Sequence, residues 1–342
     1  MTSEEPVGRT GALVALAAAV TVVLWASAYV GVRAAGHDYS PGALALGRQL
    51  AGSVGLTAIV AVRALRGRGP RPAGGRRAPA RLPALPRGRV LVGVVAWGVA
   101  WFALYNLALN AAERHLDAGT TALLVNVAPV LVAVLAGLLL GEGFPRRLLA
   151  GMAVAFTGVA VIAVTTSTGR ADVLGVVLGI AAAALYAGSA TAQKRLLARV
   201  DALTMTWVGC LVGTVACLPF APALVREAAT AAGSSTLAVV YLGLFPTAVA
   251  FTTWGYALAR TSAGRLAAST YLVPPLVVVL SWALLAEVPA PFALVGGVLS
   301  LAGVALATLP RFRPRGAPRG RSRDRSSDAA PDAAPDRADA RA

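Results

Sequence analysis

An internal repeat constrains the fold of this chain more than any other feature. Residues 118–163 align without a gap with residues 263–308, an offset of 145 positions, and 16 of the 46 aligned residues are identical. The prediction rests mainly on four identities that are not Leu, Val or Ala, namely Pro129 with Pro274, Glu142 with Glu287, Gly151 with Gly296, and Gly158 with Gly303. Each copy predicts an apolar helix broken by proline, a turn containing glutamate, and a second apolar helix. The chain is therefore predicted to repeat a helical hairpin.

The composition places this hairpin in a membrane. Hydrophobic residues make up 57% of the chain and charged residues only 13%, whereas soluble domains have roughly 25% charged residues. Because one bilayer crossing takes about 20 apolar residues, we expect an all-α integral membrane protein with ten transmembrane helices. The repeat divides these helices into two inverted halves of five.

The expected boundaries follow the hydropathy of the sequence. Residues 1–11 form a cytoplasmic amino terminus, 12–166 the first five-helix repeat, 173–309 the second, and 310–342 a disordered cytoplasmic tail. Within the repeats we predict spans at residues 12–32, 42–62, 90–111, 119–140, 148–166, 173–193, 203–220, 237–258, 265–286 and 291–309.

The charge distribution predicts the orientation. With a cytoplasmic amino terminus, 26 Arg and Lys residues fall on the cytoplasmic side and four on the other, as the positive-inside rule requires. Both termini are then cytoplasmic, in a multi-pass protein of the plasma membrane. The net charge of +16 comes largely from residues 63–89 and 311–341, with nine basic residues each, so we expect no nucleic-acid partner. These two segments either bind anionic lipid or enforce topology.

Motifs of catalysis are absent from the sequence. It contains no H-E-x-x-H, C-x-x-C or G-x-x-x-x-G-K motif, and its two histidines lie far apart. Cys210 and Cys217 fall in one span and are interpreted as free thiols. We therefore expect neither an enzyme nor an ATP-driven pump, and no metal or cofactor.

A few charged and helix-breaking residues are candidates for function. Arg48 is the only charged residue clearly inside a predicted span; it either contacts substrate or a gate, or serves structural pairing and snorkelling. Glu142 and Glu287 have either a structural role in the hairpin or a role in proton transfer or gating. Pro129 and Pro274 either bend their helices for packing or line a cavity.

Aromatic and amide residues are concentrated on spans one, three, four, six, eight and nine. This distribution predicts a central cavity, with packing or an interfacial belt as the alternative role for each residue. Gly151, Gly158, Gly296 and Gly303 lie on spans five and ten and predict close helix packing outside the cavity. With Arg48, the cavity candidates are Trp25, Tyr105, Asn106, Asn126, Tyr186, Ser189, Trp254, Tyr256 and Tyr271.

The two hairpins resemble those of EamA-type transporters in the drug/metabolite transporter superfamily. The resemblance rests on NVAPVLVAVLAGLLLGEGFPRRLLAGMAVAFTGVAVI and YLVPPLVVVLSWALLAEVPAPFALVGGVLSLAGVAL, since each half in that family ends with a proline-containing helix, a glutamate at the hairpin and a G-x(6)-G helix. It implies an inverted-repeat bundle with a central cavity and alternating access. The second hairpin departs from the pattern, with Ala286 in place of Gly141 and Val-Pro-Ala-Pro in place of the polar turn.

These observations together predict a secondary active transporter that exports small metabolites, amino acids or drug-like compounds by alternating access. The expected partners are a small-molecule substrate and the lipid bilayer, and the protein is expected to be a monomer or homodimer. Within transport, the alternative is a uniporter or exchanger of polar metabolites. Outside it, the alternatives are a membrane scaffold or sensor without transport activity and, less favoured because clustered acids and histidines are missing, a lipid-modifying transferase.

Overall fold

The computed structural model describes residues 5–66, 85–115, 124–166, 173–285 and 291–308. In these ranges the chain forms helices joined by turns, without a strand. The helices are α1 (Glu5–Ala35), α2 (Pro41–Arg66), α3 (Gly88–Gly98), α4 (Asn106–His115), α5 (Ala128–Leu139), α6 (Arg146–Thr166), α7 (Val173–Leu196), α8 (Ala202–Cys217), α9 (Ala221–Thr230), α10 (Gly233–Leu242), α11 (Ala250–Arg260), α12 (Ala263–Ser269), α13 (Val273–Leu285) and α14 (Pro291–Thr308).

Seven helical stretches in the described ranges are long and apolar enough to cross a bilayer. They are Thr10–Ala35, Pro41–Leu65, Gly88–His115, Val173–Leu196, Ala202–Thr230, Gly233–Arg260 and Ala263–Leu284. Shorter apolar helices occupy Ala128–Leu139 and Leu294–Ala307. The prediction of an all-helical, multi-pass membrane protein is confirmed at this level.

Some sequence predictions concern residues outside the described ranges, and one is contradicted by the structure. Glu287, most of the basic segment 63–89 and the tail from 310 onward lie outside the described residues. The predicted spans at residues 203–220 and 237–258 leave a connecting loop around Arg226 and Glu227, and this prediction is wrong, because α9 continues there from α8 through a 3-10 turn at Leu218–Phe220. The apolar stretch therefore extends past Phe220, where the hydropathy had suggested an end.

Two π-helical segments interrupt long helices. Val99–Tyr105 joins α3 to α4, and Gly243–Val249 joins α10 to α11. In the second, Pro246 has no amide hydrogen to donate and its ring clashes with the preceding turn, which favours the wider winding. In the first, the Asn106 side-chain amide donates to the carbonyls of Trp101 (3.0 Å) and Phe102 (3.1 Å).

The repeated prolines stand at helix starts. Pro129 is the second residue of α5 and follows a turn at residues 126–127, while Pro274 is the second residue of α13 and follows a 3-10 turn at Thr270–Leu272. Proline is well accommodated in a first turn, where its missing N–H would have no intrahelical partner. Both prolines therefore mark breaks between shorter helices.

The repeated glycines bring α6 and α14 into backbone contact. A Cβ atom on Gly158 would lie 2.4 Å from the Ser300 nitrogen and 2.5 Å from the Gly296 oxygen. A Cβ atom on Gly303 would lie 2.6 Å from the Gly151 oxygen. Only glycine permits this approach, which maximises van der Waals packing between helices in lipid. Neither helix contributes to the cavity described below.

Candidate substrate cavity

A cavity of about 90 Å³ lies between helices from both parts of the chain. This volume is several times the roughly 10–15 Å³ that one water molecule needs. It lies near the end of the bundle where α1 ends, α2 begins and α4 ends. Its wall is formed by Trp25, Ala28, Tyr29, Val32, Arg48, Trp101, Tyr105, Leu109, Glu113, Val125, Asn126, Ala128, Pro129, Tyr186, Phe251, Thr270 and Val273.

Arg48 is held at the cavity by the second π segment. Its side chain is only 8% exposed, and its Nε donates to Thr247 Oγ1 at 2.8 Å. The Thr247 hydroxyl in turn donates to the Leu242 carbonyl at 2.9 Å. Close approach is possible because position 243 is glycine, where a Cβ atom would lie 2.5 Å from the Arg48 carbonyl oxygen. The guanidinium is thereby fixed in position while facing the cavity.

Glu113 supplies a carboxylate to the same wall and was not among the sequence candidates. It is half-buried near the end of α4, and the charges of Arg33 and Arg48 both act on it. The predicted third span ended at residue 111, which left Glu113 in a loop. The spacing of Tyr105, Leu109 and Glu113 at i, i+4 and i+8 was the available signal, since such residues share one helix face.

Aromatic rings form the floor of the cavity. The Trp101 ring centroid lies 5.4 Å from that of Tyr186 and 5.3 Å from that of Phe251, both in edge-to-face geometry. Trp25 lies 5.4 Å from Phe251 and 5.0 Å from Trp254. Edge-to-face pairs at these distances stabilise one another beyond their buried area. The floor is therefore a packed layer contributed by α1, the first π segment, α7 and α11.

Five of the sequence candidates line the cavity, namely Trp25, Arg48, Tyr105, Asn126 and Tyr186. The other five lie elsewhere. Trp254 is buried behind the floor and donates from Nε1 to Gln193 Oε1 at 3.1 Å. The Asn106 side chain donates to the Trp101 carbonyl in the preceding π segment, and Ser189 is buried. Tyr256 lies under the Arg260 guanidinium at 3.8 Å, and Tyr271 is buried against α5 and α6.

The end of the bundle opposite the cavity is joined by side chains that bind helix termini. Glu142 accepts from the backbone amides of Ala263 (2.7 Å) and Gly264 (3.1 Å), which begin α12. Lys194 donates to the carbonyls of Leu258 and Thr261, both at 2.6 Å, at the end of α11. A carboxylate at a helix amino terminus and an ammonium at a carboxyl terminus are both stabilising. These contacts join segments that are far apart in the sequence.

The turn between α1 and α2 is tied to α9 and α10 at the cavity end. Glu227 Oε2 accepts from the Ser40 amide at 2.7 Å, and Asp38 Oδ2 accepts from the Ala232 amide at 3.1 Å. Hydrogen bonds to Asp38 from the Ser235 side chain and the Ala232 amide lower the pKa of its carboxyl group below the ordinary value. The turn is therefore anchored by charged hydrogen bonds.

Metal ligation finds no support in the parts of the chain that are described. No group of three or more His, Cys, Asp or Glu side chains there is arranged to hold a metal ion. Cys210 and Cys217 are free and buried. What the cavity offers chemically is a cation, a carboxylate, several hydroxyl groups and an aromatic surface.

Comparison with known proteins assigns this architecture to a family of transporters. The sequence profile of the EamA-like transporter family matches residues 10–164 and 173–309. A protein of Streptantibioticus cattleyicolor named as a probable terminal-alkyne amino-acid exporter is 41% identical over 84% of this chain and 90% of its own length. The uncharacterized transporter YdfC of Bacillus subtilis is 30% identical over 84% of this chain and 88% of its own length.

The fold also matches a solved structure. A protein crystal structure superposes with a TM-score of 0.67 over 86% of this chain and 96% of that one, at 21% sequence identity. This likeness establishes the fold alone.

Proposed function

The chain belongs to the EamA-like transporter family, and from this premise we propose that it is a secondary transporter that exports small organic molecules, amino acids among them, across the plasma membrane. The observation that carries the proposal is the cavity between α1, α2, α4, α5, α7 and α11, which has charged groups on its wall and aromatic rings at its floor. Transporters bind their substrates in such cavities between helices from two halves. The name of the Streptantibioticus relative supports amino acids as cargo.

We propose that all the helices act as two inverted halves of five spans, with both termini cytoplasmic. The two family matches, at residues 10–164 and 173–309, support two halves. So does the presence of one π segment in each match, Val99–Tyr105 and Gly243–Val249. The helices α5, α6 and α14 would then supply the three crossings that the seven long stretches leave open. Orientation rests on the excess of basic residues on one side.

We propose that transport proceeds by alternating access, and the different closures of the two ends of the bundle support this. The aromatic floor and the helix-terminus contacts of Glu142 and Lys194 close one end, while the cavity lies towards the other. With cytoplasmic termini, the cavity faces outward in this state. Substrate loading from the cytoplasm then requires that the Glu142 and Lys194 contacts separate and that the floor rings move apart. The same contacts form again when the cavity returns to the outward state.

The test is transport in proteoliposomes that contain the purified full chain. Uptake and efflux of a panel of amino acids and cationic drugs are measured with and without a proton gradient. Ala28→Trp fills the cavity with an indole and should abolish flux, whereas Leu16→Trp, at a position of the same helix that is 60% exposed to lipid, should not. Flux that continues in Ala28→Trp would refute the cavity as the route, and a folded wild type that moves no compound would favour the scaffold reading.

A further inference from the structure

Two oppositely charged side chains on the cavity wall make no direct contact with each other. Arg48 reaches the cavity from α2 and Glu113 from the end of α4. Among the described residues, the guanidinium hydrogen bond of Arg48 is the one to Thr247, and no hydrogen bond or ion pair joins Arg48 to Glu113. The charges of Arg33 and Arg48 both act on Glu113, but a charged side chain in a membrane cavity is costly unless a direct ion pair or hydrogen bonds satisfy it fully. The arrangement therefore calls for a ligand that carries the complementary charges.

The geometry at Arg48 suits a carboxylate. An arginine has five N–H donors, and Thr247 takes the one on Nε, which leaves the two terminal nitrogens for the cavity. These nitrogens form a planar fork that matches the two oxygens of a carboxylate. The hydrogen bond to Thr247 fixes the fork before a ligand arrives, so little side-chain entropy is lost on binding.

The surroundings of Glu113 suit an ammonium group. Its carboxylate accepts no hydrogen bond from the described residues, and the rings of Tyr29 and Tyr105 line the same cavity. A primary ammonium can donate to a carboxylate and also lie against aromatic faces through a cation–π contact. The Glu113 site is therefore a negative pole with aromatic walls.

We propose that these two poles recognise the zwitterionic head of an α-amino acid, with its carboxylate on Arg48, its ammonium on Glu113 and its apolar side chain on the floor formed by Trp101, Tyr186 and Phe251. This assignment rests on the proposed transport function and adds to it the residues that select the substrate. It requires both charges in one molecule. Molecules with an amine alone or a carboxylate alone leave one pole unpaired, and a site built for a polar group rejects analogues that lack it.

Binding of defined probes to the detergent-purified full chain tests the proposal. Isothermal titration calorimetry is run with L-alanine, L-valine, L-leucine and L-phenylalanine, and with the amine-only and carboxylate-only analogues of the tightest of them; for L-valine these are isobutylamine and 3-methylbutanoate. We expect the amino acid to bind about tenfold or more tightly than either analogue. Absence of binding for all four amino acids, or equal binding of an analogue, overturns the proposal.

Charge-removing variants then assign the poles. Arg48→Gln should weaken amino-acid binding about ten- to hundredfold, the range for loss of a charged hydrogen bond, and should erase the preference over the amine. Glu113→Gln should erase the preference over the carboxylate instead. Because each preference is a ratio measured within one variant, partial misfolding does not imitate it. Arg114→Gln, an exposed neighbour of Glu113, is the matched control and should retain both preferences.

Flux measurements separate this inference from the transport proposal. Binding with the expected preferences but without flux in proteoliposomes would keep the site and refute transport. If Arg48→Gln and Glu113→Gln both leave the flux of amino acids unchanged, the transport proposal stands and the two-pole site is refuted.

Discussion

Replacing Gly303 by alanine should separate two helices that the structure holds in backbone contact. A Cβ atom at position 303 would lie 2.3 Å from the Ala155 nitrogen and 2.7 Å from the Ala155 Cα atom. Ordinary contacts begin near 3.4 Å, so α6 and α14 must move apart by about 1 Å (3.4 − 2.3). All the clashing atoms belong to the backbone, so no side-chain rotation can relieve them.

The expected change in unfolding free energy is the sum of two opposing effects. Overpacking of a close contact costs about 1–3 kcal/mol, whereas alanine in place of glycine within a helix returns about 1 kcal/mol. Gly297→Ala, in the same helix α14, gains the same propensity but brings a Cβ atom only to 3.4 Å from Pro275 Cβ. The difference in unfolding free energy between the two variants therefore isolates the packing cost, and we expect Gly303→Ala to be less stable by about 1–3 kcal/mol.

Reversible unfolding in mixed micelles measures this difference. Tryptophan fluorescence follows the transition, since the chain contains six tryptophans. Equal unfolding free energies for Gly303→Ala and Gly297→Ala would refute the close approach of α6 and α14. A more stable Gly303→Ala would do so as well.

Three further perturbations test single contacts. Glu142→Ala removes the carboxylate that binds the start of α12 and should lower the unfolding free energy by about 1–2 kcal/mol, measured as above; an unchanged value would show that the contact contributes nothing. Thr247→Val leaves the Arg48 Nε donor without its acceptor and should cost about 1–3 kcal/mol, with Thr252→Val as a control of equal chemistry away from Arg48. Because the pKa of Asp38 is lowered in the fold, its stabilising effect should be present above about pH 4, the ordinary range of the group, and be lost as the pH falls through the folded pKa. Asp38→Asn should flatten that acid-side loss of stability, and identical pH profiles for the two proteins would contradict the assignment.

The helices and much of the cavity wall could be predicted because hydropathy and residue type carry that information locally. Trp25, Arg48 and Tyr186 were candidates since polar or aromatic residues in apolar spans are unusual, and the structure places them at the cavity. Glu113 was missed because a hydropathy window ends a span where polarity begins, while the helix itself continues to His115. Glu113 can be assigned to the same helix face as Tyr105 only when the helix is taken to continue beyond residue 111.

Other features depend on contacts between distant segments. The sequence predicts for Glu142 either a structural role in the hairpin or a role in proton transfer or gating. The structure instead directs its carboxylate to the start of α12, 121 and 122 residues away in sequence. Nothing within the hairpin encodes that partner. The π segments could not be predicted from local sequence either. Apart from Pro246, their residues are equally compatible with a regular α-helix.

The π segment at Gly243–Val249 makes the cavity depend on the length of the chain as well as on its composition. A π turn holds one residue more than the α-helix it interrupts, and each residue of an α-helix turns the chain by about 100°. Because the wide turn absorbs the extra residue, deleting one residue there would restore regular winding and leave the direction of the side chains in α11 unchanged. A residue inserted or deleted within α11 itself would instead rotate every following side chain by that angle. The π segment thus determines how the Thr247 hydroxyl reaches Arg48, while Phe251 keeps its place at the cavity.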